Sequence, residues 1–381
     1  MPATRKKILF VSRWYPDRHD PMPGLFVRRH AEAVNLFADV TVLYVTADAT
    51  LTSGKVIRDE SIQGGIRELR IYFGKSTIGL VNAWRYLKHY LQAVRSLEAP
   101  DLVHVHVLSR TAIPALWLKY TRNTPYLVTE HWSRYLPQNI AKGAYRGWLR
   151  KWFTKLVVRN AECITTVTKN LANAMQVLGL KNKYVVTPNV ADCGLFHLED
   201  KKTIKDFDFI HVSCFDEPAK NIKGIVSAFQ KYVLLGLKGN LTIIGDGPDY
   251  KAVFAFAEAT GLVGSRISFT GLMEGEQLAS RMREADALVM FSNYENLPCT
   301  IVESLCCGVP VISTDVGGIA EYVNKENGIL IQPQNVTELV DAMRDMATGL
   351  YAGKKQEIAN YGCQHFSMES ISKNFKQLYG L

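Results

Sequence analysis

No stretch of the sequence approaches 18 consecutive apolar residues, so nothing in it reads as a membrane-spanning helix. Its seven cysteines contain no C-x-x-C pair, and no two of the nine histidines stand at H-x-x-x-H spacing, which argues against a zinc site and against a disulfide framework. An odd number of mostly apolar-flanked thiols fits a reducing compartment. The N-terminal apolar stretch, KKILFVSRWYP, breaks at Arg13 and is too short for a secretory signal, so the expected location is cytoplasmic. Neither Gly64-Gly65 nor Gly317-Gly318 makes a G-x-G-x-x-G fingerprint, and no G-x-S-x-G elbow occurs, which removes nicotinamide and Ser-His-Asp chemistry from the first choices. Helix-turn-helix, zinc-finger and RNP motifs are absent as well, so no nucleic-acid partner is expected. No cofactor and no metal ion is implied.

What the sequence has is charge, unevenly placed. The net charge over 381 residues is +9, but residues 1–190 hold 28 Lys and Arg against 12 Asp and Glu, and the remainder holds 17 against 24. The basic excess therefore belongs to the N-terminal half. Such asymmetry points to a polyanion or an anionic membrane surface, or to a solvated basic face with no partner.

Short Val, Ile and Leu runs alternate with longer segments of 3.6-residue periodicity: Ile8 to Ser12, Val40 to Val45, Leu102 to His106, Tyr126 to Thr129, Ile164 to Val167 and Tyr184 to Thr187. Runs apolar on both faces predict buried parallel strands. After a lysine-bearing stretch from Val190 to Asp206 a second series follows, at Phe209 to Ser213, Leu241 to Gly245, Ile267 to Thr270, Ala287 to Phe291 and Val309 to Ser313. The fold class is therefore α/β, with two tandem Rossmann-like, doubly wound parallel-sheet domains. The expected division is 1–190, 191–365, and a C-terminal helix over 366–381 packing back toward the N-terminal domain. Chemistry is expected in the cleft between the two domains.

The segment SNYENLPCTIVESLCCGVPVISTDVGGIAEYV, Ser292 to Val323, is the most informative. A strand runs into a loop carrying Glu295; Pro298 suits the first turn of a helix that includes Glu303 and stops at Gly308. Glu303 stands among apolar neighbours, where a carboxylate needs donors, and ligand hydroxyls are candidates. Eight helical residues span about 12 Å, too far for the carboxylate pair of a glycosidase at roughly 5 to 9.5 Å. The helix start, with the N–H groups of Cys299 and Thr300, suits an anion such as a diphosphate. One carboxylate for hydroxyls beside a helix end for phosphate makes a sugar-nucleotide site.

The E-x7-E pattern, followed by G-x-P-V-I-x-T and G-G-x-x-E, resembles the retaining glycosyltransferases of family 4, the glycosyl transferases group 1, with the GT-B fold. The likeness covers nearly the whole chain: RWYPDRHDPMPGLFVRRHAEAV, DLVHVHVLSRTA, PYLVTEHWS, TVTKNLANAM, VVTPNVADCGLF, GDGPDY and FTGLMEGEQL fall in order along it. The resemblance implies transfer of a sugar from a UDP- or GDP-linked donor to a glycan or lipid-linked acceptor hydroxyl, with retention, in glycan, polysaccharide or glycolipid assembly. It places Glu295 on the donor sugar, Glu303 on the ribose, Lys220 on the diphosphate and His131 at the active-site histidine. Gly24, Gly245, Leu272, Met273 and the loop Asn296, Leu297, Pro298, Cys299 and Thr300 complete the implied donor site, and Asn189 falls at the linker. The family's Arg shortly before the Lys is missing; Cys214 or Phe215 stands there, and Lys223 or Arg13 is expected to supply the charge. A same-fold sugar-nucleotide epimerase, and a non-catalytic binder of nucleotide sugars or nucleic acid, remain as alternatives. The pair Asp206 and Asp208 spells D-x-D but precedes a strand, at the wrong end for a site.

Within the basic half, Tyr145 to Ala161 carries five basic residues and no acid. At about 100° per residue, Trp148, Leu149, Trp152, Phe153, Leu156 and Val157 form one arc, and Arg146, Arg150, Lys151 and Lys155 mostly the other. That pattern suits either an anionic lipid surface or a core-packed helix with a solvated basic side.

Overall fold

The computed structural model describes residues 5–199 and 206–381, so the middle of the Val190–Asp206 stretch lies outside the described residues. The chain divides into two compact units, Met1–Pro188 with Ile371–Leu381, and Asn189–Ser370.

The first unit holds strands β1 (Lys7–Ser12), β2 (Asp39–Asp48), β3 (Val56–Gln63), β4 (Ile66–Gly74), β5 (Leu102–His106), β6 (Tyr126–Glu130), β7 (Ile164–Thr166) and β8 (Tyr184–Val186), in the order β3-β4-β2-β1-β5-β6-β7-β8. Its helices are α1 (Leu25–Asn35), α2 (Gly79–Ser96), α3 (Ile113–Arg122), α4 (Pro137–Ala141), α5 (Trp148–Asn160) and α6 (Lys169–Val177). Strands β1, β5 and β6 are buried almost throughout, as continuous apolar runs require.

The first sheet is parallel as expected, apart from one edge pair. Strands β3 and β4 form an antiparallel hairpin at the sheet edge. Its two-residue turn is Gly64-Gly65, both with positive φ (56° and 82°), which matches the right-handed twist of a hairpin and favours glycine. The polar run of β3 hides it from an apolar-run search: RDESIQ is mostly exposed, as an edge strand tolerates.

The second unit holds helices α7 (Glu217–Lys220), α8 (Ile222–Leu234), α9 (Tyr250–Glu258), α10 (Gly275–Glu284), α11 (Cys299–Cys306), α12 (Val336–Ala347) and α13 (Lys355–Phe366). Its strands are β9 (Asp208–Val212), β10 (Asn240–Ile244), β11 (Ile267–Gly271), β12 (Ala287–Met290), β13 (Val311–Thr314) and β14 (Gly328–Ile331), ordered β11-β10-β9-β12-β13-β14 and all parallel. Strand β14, GILI, is one more than the sequence reading contained. The D-x-D pair is spent structurally: Asp206 pairs with Arg266 at 2.8 Å, and the Asp208 N–H donates to Asp286 at 2.9 Å, at the N-terminal end of β9. The final helix, α14 (Met368–Leu378), sets its Phe375, and Tyr379 just beyond it, against His104.

Candidate active site

In the second sheet β9 lies between β10 and β12, so connections leave it in opposite directions and a crevice opens beyond the C-terminal ends of β9 and β12. Two loops meet there. The loop after β9 carries Lys220 at the end of α7, where Asn221 takes a left-handed turn (φ 50°) into α8. The loop after β12 carries Glu295. Asn293 staples the two together: its N–H donates to Ala219 O at 2.8 Å and its side-chain amide to Pro218 O at 3.1 Å. Lys220 and Glu295 form an ion pair, with side chains only 15% and 11% exposed. Ser292 Oγ donates to the same Glu295 oxygen at 3.0 Å. Burial alone would lower the Lys220 ammonium, but the Glu295 carboxylate outweighs it and holds the group raised and charged.

Glycine decides the approach of the backbone. A Cβ on Gly317 (φ 63°) would stand 2.1 Å from Glu295 O, so the Gly317-Gly318 loop can press against the Glu295 loop only without a side chain, and the Gly318 N–H donates to Asn296 O at 3.1 Å. On the other side, a Cβ on Gly245 (φ 137°) would stand 1.9 Å from Ser213 O, which brings the G-D-G-P loop against the loop after β9. Leu272, exposed, and Met273, half-buried, follow β11 at the same edge.

Helix α11 begins at Cys299, with Pro298 as N-cap and no capping side chain. This moves Pro298 from the expected first helical turn to the position before it. Leu297 is buried and its carbonyl accepts from the Asn189 amide at 2.8 Å. Residues Ile301 to Cys306 are all buried, and Glu303 among them is 4% exposed. Thr300 Oγ1 lies 3.9 Å from Met290 Sδ.

Neither residue in the place of the family's arginine offers a charge. Phe215 is fully buried against Tyr250, with ring centroids 5.1 Å apart, and Cys214 is exposed. The Lys223 ammonium stands over the Phe256 ring of α9, 5.8 Å from its centroid, while its N–H caps onto Glu217. Arg13, in the first unit, has its guanidinium 5.2 Å over the Trp132 ring, and its buried Nε has no hydrogen-bond partner among the described residues. A buried guanidinium nitrogen without an acceptor is costly, and an anionic ligand would satisfy it.

The first sheet has its own switch point, between β1 and β5. Gly24 (φ 78°) begins α1 so close to the loop after β1 that a Cβ would stand 2.2 Å from Trp14 O. His131 follows β6, and its Nε2 lies 3.2 Å from His106 Nδ1 with the two rings stacked. Glu130 holds this turn: its carboxylate accepts from the N–H groups of His131 (2.9 Å), Trp132 (2.8 Å) and Leu108 (3.0 Å). Full burial nevertheless pushes its pKa up to about 7. His30 lies against His131 and Phe375 and meets Pro188 O at 3.0 Å; burial lowers it to about 4, and also holds His104 and His106 well below the ordinary imidazole value. His30, His104, His106 and Glu130 had no role in the sequence reading; the H-x-H spacing at the end of β5, which puts two rings on one sheet face, was the available signal.

A cavity of about 220 Å³ opens near the C-terminal end of β4, lined by Lys55, Trp84, Arg85, Lys88 and His89 among others, with no acid in its wall. The α5 helix also departs from expectation. It buries Thr154, Val157 and Val158, while Trp148, Leu149 and Trp152 are 75%, 60% and 58% exposed beside Arg150 and Lys151. The expected apolar arc is thus split, because residues 148–152 lie exposed and the helix meets the core only from Phe153 and Thr154 onward.

Residues 26–190 match the Glycosyl transferase 4-like domain family, and residues 199–362 match the family Glycosyl transferases group 1. The chain belongs to the group 1 glycosyl transferases. It is 24% identical over 361 residues to the putative teichuronic acid biosynthesis glycosyltransferase TuaC of Bacillus subtilis, covering 88% of each chain. Among solved structures it is similar to the sucrose-phosphate synthase of Thermosynechococcus elongatus, with a TM-score of 0.81 at 20% identity over 99% of this chain and 98% of that one. HepE of Anabaena, solved in complex with UDP-glucose, has a TM-score of 0.74 at 17% identity, over 99% of this chain and 100% of the other. The fold is GT-B and the chain is a glycosyltransferase. No helix among the described residues is long and apolar enough to cross a membrane.

Proposed function

We propose that this glycosyltransferase takes its sugar from a nucleoside diphosphate donor and delivers it to an acceptor hydroxyl with retention of anomeric configuration. The observation that carries the reading is the buried Lys220–Glu295 pair stapled beside the uncapped start of α11 at a sheet switch point. The Lys220 ammonium and the helix start would compensate the charge that builds on the departing diphosphate. Glu295 would accept from donor sugar hydroxyls and Glu303 from the ribose, while Gly245, Leu272, Met273 and the Asn296–Thr300 loop would frame the nucleotide. The anomeric carbon–phosphate oxygen bond breaks, the acceptor oxygen bonds to the same face of that carbon, and the acceptor proton passes to the leaving phosphate. Lys220 would supply countercharge that a divalent ion supplies in other folds, so no metal ion or cofactor is assigned. HepE, with UDP-glucose bound, supports a nucleotide-sugar donor.

Gly24 and His131 are assigned to the sugar and acceptor, and Arg13, whose buried Nε lacks a partner among the described residues, to an anionic phosphate of the substrates. The acid-free cavity beside Lys55, Arg85 and Lys88 favours an acceptor that carries negative charge, as a step of polysaccharide or glycolipid assembly would present. The exposed Trp148, Leu149 and Trp152 beside basic residues favour a place at the cytoplasmic face of an anionic membrane. A thermal-shift panel of UDP-, GDP- and ADP-sugars tests the donor, and no shift with any of them sinks the reading. Anomeric analysis of the product tests retention. Co-sedimentation with liposomes that shows no dependence on anionic lipid sinks the membrane assignment.

A further inference from the structure

Three cysteines far apart in the sequence meet in the second unit. Cys193 follows the short pairing of Ala191 with Ser367, Cys306 is the last residue of α11, and Cys363 lies on α13. Their sulfur atoms all lie within 4.8 Å of one another, and Cys193 Sγ is 3.7 Å from Cys306 Sγ. All three are free thiols; Cys306 is buried and the other two are half-buried.

The fold holds this approach tightly. A Cβ on Gly362 would stand 2.6 Å from the Cys306 backbone N, so α13 rests directly on the end of α11 at the residue beside Cys363. The Ala191 N–H donates to Phe366 O at 2.9 Å, which fixes the segment carrying Cys193 against the end of α13. The spacing has chemical meaning. At a Zn–S bond of about 2.3 Å, two sulfurs of a tetrahedral site stand about 3.8 Å apart, close to the separation seen for Cys193 and Cys306. A cation at this place would also lie at the C-terminal end of α11, where the helix dipole favours positive charge.

We infer that Cys193, Cys306 and Cys363 form a binding site for one thiophilic d10 cation of the zinc type. The fourth position is open to water or a small exogenous ligand on the half-buried side. Binding releases the thiol protons as the thiolates form, with no change of oxidation state. The cation joins the segment that follows Asn189 to the helix that starts after Pro298 and carries Glu303, and so acts as a structural clamp on the second unit.

The test uses the full chain, reduced and stripped of metal by a chelator. Titration with Zn²⁺ against a chromophoric competitor is expected to show one tight equivalent, and Co²⁺ is expected to give the visible absorption of a tetrahedral thiolate site. The variants C193S, C306S and C363S should each weaken Zn²⁺ binding by more than the 10- to 100-fold that loss of an outer partner costs; C163A should leave it unchanged. Variants that fail to fold do not spoil the test, because bound Zn²⁺ should shield these three thiols of the wild-type chain from alkylation, leaving Cys214 to react. Binding no tighter than that of the triple serine variant, alkylation unaffected by Zn²⁺, or a Cys193–Cys306 disulfide in freshly prepared protein would each overturn the inference.

Discussion

The two units place their candidate residues at equivalent spots, beyond the strand ends at a switch point, yet they furnish them with opposite chemistry. The first unit gathers His30, His104, His106 and His131, three of them held neutral by burial, and the turn that carries His131 is held by a carboxyl group pushed toward neutrality. The second unit gathers a lysine held charged by the glutamate it pairs with. A parallel sheet supplies the place; the loop residues decide whether that place is a neutral hydrogen-bonding wall or a fixed charge pair. On the proposed function, the charged pair would meet the departing diphosphate and the neutral wall the hydroxyls.

The sharpest way to break this contrast is to remove the charge. K220A should lower kcat about 100- to 1000-fold, the size of effect seen when one preorganised transition-state donor is lost, with K220R failing to restore it because the ammonium is a compact charge in a closed pair. A steady-state assay with the donor found in the thermal-shift panel reads this. If K220A keeps wild-type kcat, the charged wall has no catalytic part.

Acid should separate the units next. His30 is held near 4 when folded against 6.5 when free, so as pH falls from 6.5 to 4 the unfolded chain binds the proton first and stability drops, by on the order of 3 kcal/mol for this group. His104 and His106 act in the same direction. Glu130 opposes them: raised from 4.5 to about 7, it contributes stability that is full below pH 4.5 and is lost as pH rises through 7. The second unit has one such histidine, His211, lowered to about 4. Hydrogen exchange followed from pH 7 to pH 4.5 should therefore show the first unit loosening more than the second; equal loosening would remove the contrast.

E303Q should raise the donor KM by roughly 10- to 100-fold, the value of one hydrogen bond to a charged group, while leaving kcat less affected than K220A does. The smallest effect concerns α5. W148A and W152A should change folding stability by no more than about 0.5 kcal/mol, since both side chains are exposed, whereas V157A should cost about 1–3 kcal/mol from the core. Denaturant melts distinguish the two, and a large loss for the tryptophans would mean they are buried after all.

Much of this was legible in the linear pattern. Apolar runs located β1, β5, β6 and β9 because strands buried on both faces must be apolar on both faces. The sequence SNYENLPCTIVES displayed the loop-to-helix transition because a local signal, Pro298 before a periodic run, marks it. Strand β3 escaped because an edge strand has no apolar face to show, and the buried β4 because Arg67, Glu68 and Arg70 interrupt its apolar run; α5 stayed open between two readings because periodicity reveals a stripe but not how far along the helix the core extends.

By itself, then, the sequence determined the α/β class, the two-sheet organisation and the chemical identity of Lys220, Glu295 and Glu303. Only the tertiary structure decided which groups meet. Asn293 ties the Lys220 loop to the Glu295 loop across 75 positions of chain, the histidines from α1, β5 and the turn after β6 close on one another, and Cys193, Cys306 and Cys363 converge without any motif. The reason is physical. Secondary structure follows from spacing along the chain, whereas these meetings follow from sheet order and from the glycines that let one backbone rest on another.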